Sequence, residues 1–154
     1  MDEWQSPDQD FLRRQSALIC NSYAHWTGRQ LLQDETGDVE NRLFEADFAV
    51  LSHDIRPEPV FNYANRTAMQ LFGMSWDEIT HLPSRYSAEP MLQAERAGFL
   101  ERVAADGYVD DYSGVRIAKD GSKFMIENAT VWNLIDGKGR FCGQAALIPQ
   151  WRRL

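Results

Sequence analysis

The chain has little of what marks several common protein classes. Its 154 residues include only two cysteines, Cys20 and Cys142, far apart. In a reducing compartment such thiols pack as small hydrophobes, and nothing in the sequence supports a disulfide between them. The three histidines, His25, His53 and His81, do not stand within metal-ligand spacing of one another or of a cysteine. No G-x-S-x-G or P-loop motif is present. No apolar run approaches the ~20 residues of a membrane helix. The acidic start, Met1-Asp2-Glu3-Trp4, has no signal-peptide core, so a cytoplasmic location is expected. Basic residues are outnumbered, 16 Lys and Arg against 23 Asp and Glu, for a net charge of −7. That balance argues against nucleic acid as a direct partner, since phosphate binding needs clustered basic residues. Trp151-Arg152-Arg153 is the densest basic spot and reads as a solvated tail over 151–154.

What is present suffices for one domain. The apolar share of 44% can build a single core. Ser6-Pro7-Asp8-Gln9 predicts a helix start by capping, and Phe11, Leu12, Leu18, Ile19, Tyr23 and Trp26 then recur at helical spacing to about residue 25. Gly28 interrupts the pattern, and a short second helix is expected over 29–32. Asp34-Glu35-Thr36-Gly37-Asp38 reads as a linker. Residues 1–40 thus form a helical cap and linker, and the main domain is expected over 41–150.

Phe48-Ala49-Val50-Leu51-Ser52 and Val60 to Tyr63 predict two strands around the turn Arg56-Pro57-Glu58-Pro59. Asn65 is placed to cap the helix that follows, and Ser75-Trp76-Asp77-Glu78 is a capping box. A longer helix over 90–105 carries Leu92, Phe99, Leu100 and Val103, with Arg96 inside the stripe and expected to snorkel. Three strands follow, 108–118, 124–135 and 141–148, joined by Lys119-Asp120-Gly121-Ser122 and Asp136-Gly137-Lys138-Gly139.

This order resembles the PAS domain, with Phe61-Asn62-Tyr63-Ala64-Asn65 as its strand-to-helix entry. A closer resemblance is to the MEKHLA family, a PAS-like family. It is carried by Leu51-Ser52-His53, Leu82-Pro83-Ser84-Arg85, Ser87-Ala88-Glu89-Pro90, the run Gly107 to Arg116, and Thr130-Val131-Trp132-Asn133. The family occurs as stand-alone bacterial proteins and at the C-terminus of plant class III homeodomain–leucine zipper factors. Without zipper heptads or a homeodomain, this chain resembles the stand-alone kind. The resemblance implies an α+β fold: a five-stranded antiparallel sheet, short helices on its concave face and an N-terminal helical cap. It implies a sensory or regulatory role and no settled ligand.

PAS relatives often hold flavin or haem. Covalent flavin chemistry needs a cysteine in an Asn-Cys-Arg-Phe-like motif on a helix, and neither Cys20 nor Cys142 stands in one. Haem relatives commonly use a histidine on the long helix, and 90–105 has none. Non-covalent flavin or haem has no motif support, so the cofactor stays unassigned. Enzymatic constellations are poor, and Asp110, Asp111 and Glu101 read as solvated surface.

The polar residues of the last strands carry the binding hypothesis. Tyr112, Gly114 and Arg116 alternate onto one face, and Ile126, Asn128, Thr130 and Trp132 onto one face of the next strand. A two-residue turn opposes Arg116 to Met125, and a three-residue loop with Gly121 left-handed opposes it to Ile126. The PAS resemblance favours the longer loop, with Arg116 and Asn128 looking into the concave side. A buried guanidinium needs an anionic partner. That partner is either a ligand carboxylate or phosphate, or an internal group such as Glu89, Glu95, Glu127 or the Tyr112 hydroxyl. The candidate pocket is Arg116, Asn128, Trp132, Tyr112, Phe99 and Thr130, with Arg85 at its mouth. The opposite face, Val115, Ile117, Met125, Ala129 and Val131, is too apolar to stay wet. The N-terminal helix is expected to cover it, within the chain or across a homodimer.

Overall fold

The computed structural model describes residues 8–32, 38–88 and 93–154. Helix α1 spans Gln9–Thr27. Asp8 caps it, its carboxylate accepting from the Asp10 N–H at 3.1 Å, while the anticipated cap Ser6 and Pro7 lie outside the described residues. Gly28, with φ 71°, closes it by donating its N–H to the Ala24 carbonyl. Residues 29–32 form no helix, contrary to expectation, and α2 comes later, at Val39–Phe44. Most of the anticipated linker, 33–37, lies outside the described residues.

Strands β1 (Ala49–His53) and β2 (Phe61–Ala64) flank a turn closed by Asp54, whose Oδ1 accepts from the Arg56 and Val60 N–H groups at 3.2 and 3.1 Å. Helices α3 (Arg66–Phe72) and α4 (Trp76–Ile79), a 3-10 turn at Ser84–Ser87 and helix α5 (Gln93–Asp106) follow. Ser75 and Glu78 close the anticipated capping box. Leu92, and the side chains of Arg96 and Leu100, lie outside what is described. The chain ends in β3 (Tyr108–Ile117), β4 (Lys123–Ile135), β5 (Phe141–Ile148) and β6 (Gln150–Arg153). Among the described residues, no helix is long and apolar enough to cross a membrane.

The antiparallel sheet runs β2-β1-β5-β4-β3, and β6 adds a sixth strand where five were expected. Trp151-Arg152-Arg153 is therefore not a solvated tail. At 13 residues, β4 outruns the 8 of β5, and β6 pairs with the remainder, Phe124 to Glu127. Pro149 breaks β5 from β6 because it brings no N–H to the ladder.

Each sheet face has its own core. On the concave face, α3 and α4 bury Ala68, Leu71, Phe72 and Ile79 against Leu51, Phe124, Ile126, Ala129 and Ile148. Phe72 and Phe124 meet edge to face, centroids 5.2 Å apart. On the outer face, α1 buries Leu12, Ile19 and Tyr23 against Val50, Tyr63, Trp132, Leu134 and Ala145. Hydrogen bonds fix its position: Trp26 Nε1 donates to the Asn133 carbonyl at 2.8 Å and Trp132 Nε1 to the Ile19 carbonyl at 3.2 Å. The Ser22 hydroxyl accepts from the Ile135 N–H at 3.0 Å.

Candidate functional site

The β3–β4 loop is the three-residue kind, with the Gly121 N–H donating to Ala118 and φ 87° at Gly121. It opposes Arg116 to Phe124, not to Met125 or Ile126. Phe124 shares its face with Ile126, so Arg116 does lie on the concave side. Its guanidinium sits 5.5 Å from the centre of the Tyr112 ring, and Phe99 of α5 packs on that ring at 4.9 Å. Tyr112 lies along its own strand, so a Cβ added at Gly114 would come within 2.7 Å of the Tyr112 hydroxyl. Gly114 is thus the space into which the tyrosine folds.

Arg116, Tyr112 and Phe99 come together; the other four candidates do not join them. Beyond Ile126 the ladder changes step. Gly114 pairs with Ile126 and Tyr112 with Ala129, so β4 spends three residues where β3 spends two. Asn128, with φ 54°, sits in this bulge. The extra residue reverses the alternation, and Thr130 and Trp132 turn to the outer face beneath α1. Trp132 is fully buried there, with its indole N–H committed to Ile19. Ala129 packs in the concave core, and Val131 pairs with Ala146, which itself pairs with concave Leu51, so neither belongs to the outer face as expected. Asn128 is exposed and donates to Gln150. Arg85 is also exposed, bonded to Glu58 and lying over the Tyr86 ring at 4.5 Å.

Of the internal partners expected for Arg116, Glu127 faces Arg152, Nε to Oε1 at 3.6 Å. Tyr112 offers its ring face rather than its hydroxyl. Glu89 and the Glu95 side chain lie outside the described residues. Among the described residues no carboxylate pairs with Arg116.

A cysteine-linked flavin does not fit. Cys20 lies on α1, and Cys142 packs in the same outer cluster with its thiol near the Leu134 carbonyl at 3.5 Å. Burial pushes the Cys20 thiol up to about 11, against a smaller opposing effect of Arg42, which leaves it a poor nucleophile. No histidine lies on the long helix α5. His81 Nδ1 is held at 2.7 Å by the Asp77 carbonyl, His53 Nδ1 at 2.9 Å by the Asp54 carbonyl, and His25 packs on Trp26. Among the described residues no cluster could hold a metal ion.

Residue-by-residue reading of the sequence missed a polar seam under α1. Gln15 Nε2 donates to the Ser52 hydroxyl at 3.0 Å, and that hydroxyl donates to Asn62 Oδ1 at 2.6 Å. Beside it, the Ser16 and Tyr63 hydroxyls are buried and neighbour one another, and neither makes a hydrogen bond of full geometry among the described residues. The sequence signal was Gln15-Ser16, with Ser22, inside a helix stripe otherwise made of Leu12, Ile19 and Tyr23.

The layered arrangement, with short helices in the concavity of an antiparallel sheet and a helix across its back, is that of a PAS-like domain. The fold is similar to an RNA-binding light-oxygen-voltage receptor, with TM-score 0.61 and 21% identity over 77% of this chain and 36% of that one. It is also similar to a PAS domain from Colwellia psychrerythraea, with TM-score 0.60 and 15% identity over 74% of this chain and 92% of that one. The chain belongs to the MEKHLA domain family, whose model matches residues 13–153. The homeobox-leucine zipper protein HOX10 of Oryza sativa is 26% identical over 121 residues, which are 76% of this chain and 14% of the rice protein. The chain thus corresponds to a small part of that relative.

Proposed function

We propose that this MEKHLA domain is a sensor that takes a small anionic molecule at Arg116 and passes the change on through a dimer or partner interface. The observation that carries the reading is half-buried Arg116, its guanidinium against the Tyr112 ring on which Phe99 packs, with no carboxylate partner among the described residues. A guanidinium in that setting binds a carboxylate or phosphate by paired N–H bonds, and the neighbouring Tyr112 ring offers an apolar surface to whatever carries the anion. The outer half-face of Val115, Ile117 and Met125, half-buried and beyond the outer core under α1, supports an interface there. The test is mass spectrometry of small molecules released on denaturing the purified protein, with Arg116→Ala in parallel. The expected result is an anionic species lost in the variant. Identical extracts, and no thermal shift of the native protein across an anionic metabolite panel, would overturn the reading.

A second reading, a ligand-free interaction module, is favoured by the filled concave core, where Phe72, Phe124 and Ile126 are almost wholly buried. Light scattering separates the two. In this reading removal of residues 1–40 abolishes assembly, and no small molecule changes it.

A further inference from the structure

We infer a second ligand site, outside the Arg116 corner, that takes a small neutral aromatic amide. It is a cleft of about 230 Å³ between the start of α1, the β1–β2 turn and α4. Phe11, Phe61 and the edge of buried Trp76 are among its aromatic lining, Asn62 is polar, and Asp8, Asp54 and Arg56 bring charge.

Asn62 reaches this cleft through a backbone irregularity. Ser52 pairs with Tyr63 but His53 pairs with Phe61, so Asn62 is the extra residue of a bulge in β2. Bulges re-aim side chains, and this one brings the Asn62 amide against Ser52 on the α1 side of the sheet. The seam beneath then fixes which end of the amide does what. The Ser52 hydroxyl accepts from Gln15, so its own proton goes to Asn62 Oδ1. Asn62 Nδ2 is left as a donor with no acceptor among the described residues. The cleft therefore asks its ligand for a carbonyl or other acceptor.

The charges select further. Asp54 has both oxygens engaged, Oδ1 by two backbone N–H groups and Oδ2 by Arg56 at 2.9 Å. With Asp8, two carboxylates face one guanidinium, so the cleft carries a net negative charge. An anion is disfavoured, and a simple cation leaves the Asn62 Nδ2 donor unmet. A neutral planar ring bearing a carboxamide or lactam meets all three conditions: an acceptor for Nδ2, no charge, and an apolar body for Phe11 and Phe61. The volume admits a single substituted ring.

Benzamide and benzoate make a matched pair of probes, alike in shape and different in charge. The measurement is titration followed by the Asn62 side-chain amide and Trp76 indole resonances, the latter assigned with Trp76→Phe. Benzamide is expected to shift both, with benzoate at least tenfold weaker. Asn62→Asp keeps the acceptor for Ser52 and removes the donor, so benzamide binding should fall at least tenfold. Equal binding of the two probes, or no benzamide-dependent shift at Asn62 and Trp76, overturns the proposal. So does an Asn62→Asp protein that binds benzamide like the parent. Should that variant not fold, the comparison of probes on the native chain decides alone.

Discussion

Asn128 donates its side-chain amide to Gln150 Oε1 at 3.2 Å, across the break that Pro149 makes between β5 and β6. The two irregularities face each other. Glu127 pairs with Gln150 and Thr130 with Leu147, which leaves Asn128 and Ala129 facing Ile148 and Pro149 in the gap between. Asn128 takes φ 54° there, where asparagine is among the few side chains tolerated. Asn128→Val should therefore cost about 1–2 kcal/mol, the penalty of a β-carbon in the left-handed region. Asn128→Gly should stay within about 0.5 kcal/mol, because glycine accepts that conformation freely. Urea denaturation of the three proteins compares them directly, and equal stability of the valine variant would rule out the bulge.

This gap also explains what could and could not be read from the chain. Element types were legible because Phe61 to Ala64 and the last strands are apolar runs between strong turn signals. The face of Arg116 was legible because it lies on the hairpin side of the bulge, where loop length alone fixes the alternation. Thr130 and Trp132 lie beyond it. Their face depends on an irregularity opposite Pro149, a residue distant in sequence, and strict alternation carried past Asn128 put them on the wrong side. The strand β6 was missed for a related reason. Its residues are mostly exposed and basic, and only the surplus length of β4 makes them a strand.

Asn65 is fully buried and uses its whole hydrogen-bonding capacity. Oδ1 accepts from the Ala68 N–H, which caps α3, and from the Val50 N–H of β1, each at 3.0 Å. Nδ2 donates to the Leu43 and Phe48 carbonyls at 3.0 and 2.8 Å. One side chain thus ties α2, β1 and α3 together. Asn65→Ala removes a cap and strands buried groups on three elements, so a loss of about 3 kcal/mol or more is expected. Asn65→Asp, which keeps the acceptor and replaces the two donors, should be almost as damaging. Denaturant midpoints of both variants test this, and a loss under about 1 kcal/mol for alanine would contradict the knot.

The docking of α1 has its own weak point. A β-carbon at Gly107 would lie 2.2 Å from Trp26 Cε3, and φ there is +82°. Gly107→Ala must push the Trp26 ring away and break its bond to the Asn133 carbonyl. Backbone strain and overpacking together should cost about 2–4 kcal/mol. Gly139 is the matched control, with φ +77° and nothing within 4 Å, and Gly139→Ala should show only the backbone part, about 1–2 kcal/mol. Hydrogen exchange should accelerate through α1 in the first variant only. Equal stability of the two would mean that the Trp26 contact contributes nothing.

Alkaline pH should loosen the same interface. Burial raises the Cys20 thiol from its ordinary 9.0 to about 11, and raises Tyr63 as well. A raised acid keeps its proton in the folded state after the unfolded chain has begun to release it. Its contribution to stability is therefore whole below pH 9 and fades as pH climbs toward 11. For Cys20 the loss amounts to about 3 kcal/mol at most. Tyr63 acts in the same direction from about pH 10 upward, its ordinary value being 10.0. Stability of the native chain and of Cys20→Ala should thus follow parallel curves up to pH 9 and converge above it, the native chain losing more. Iodoacetamide gives an independent reading at pH 8.5. Cys142, less enclosed by the fold, should be alkylated well before Cys20, and modification of Cys20 should wait on the opening of α1. Rapid alkylation of Cys20 in the folded protein, or stability curves that never converge, would contradict a sealed thiol beneath this helix.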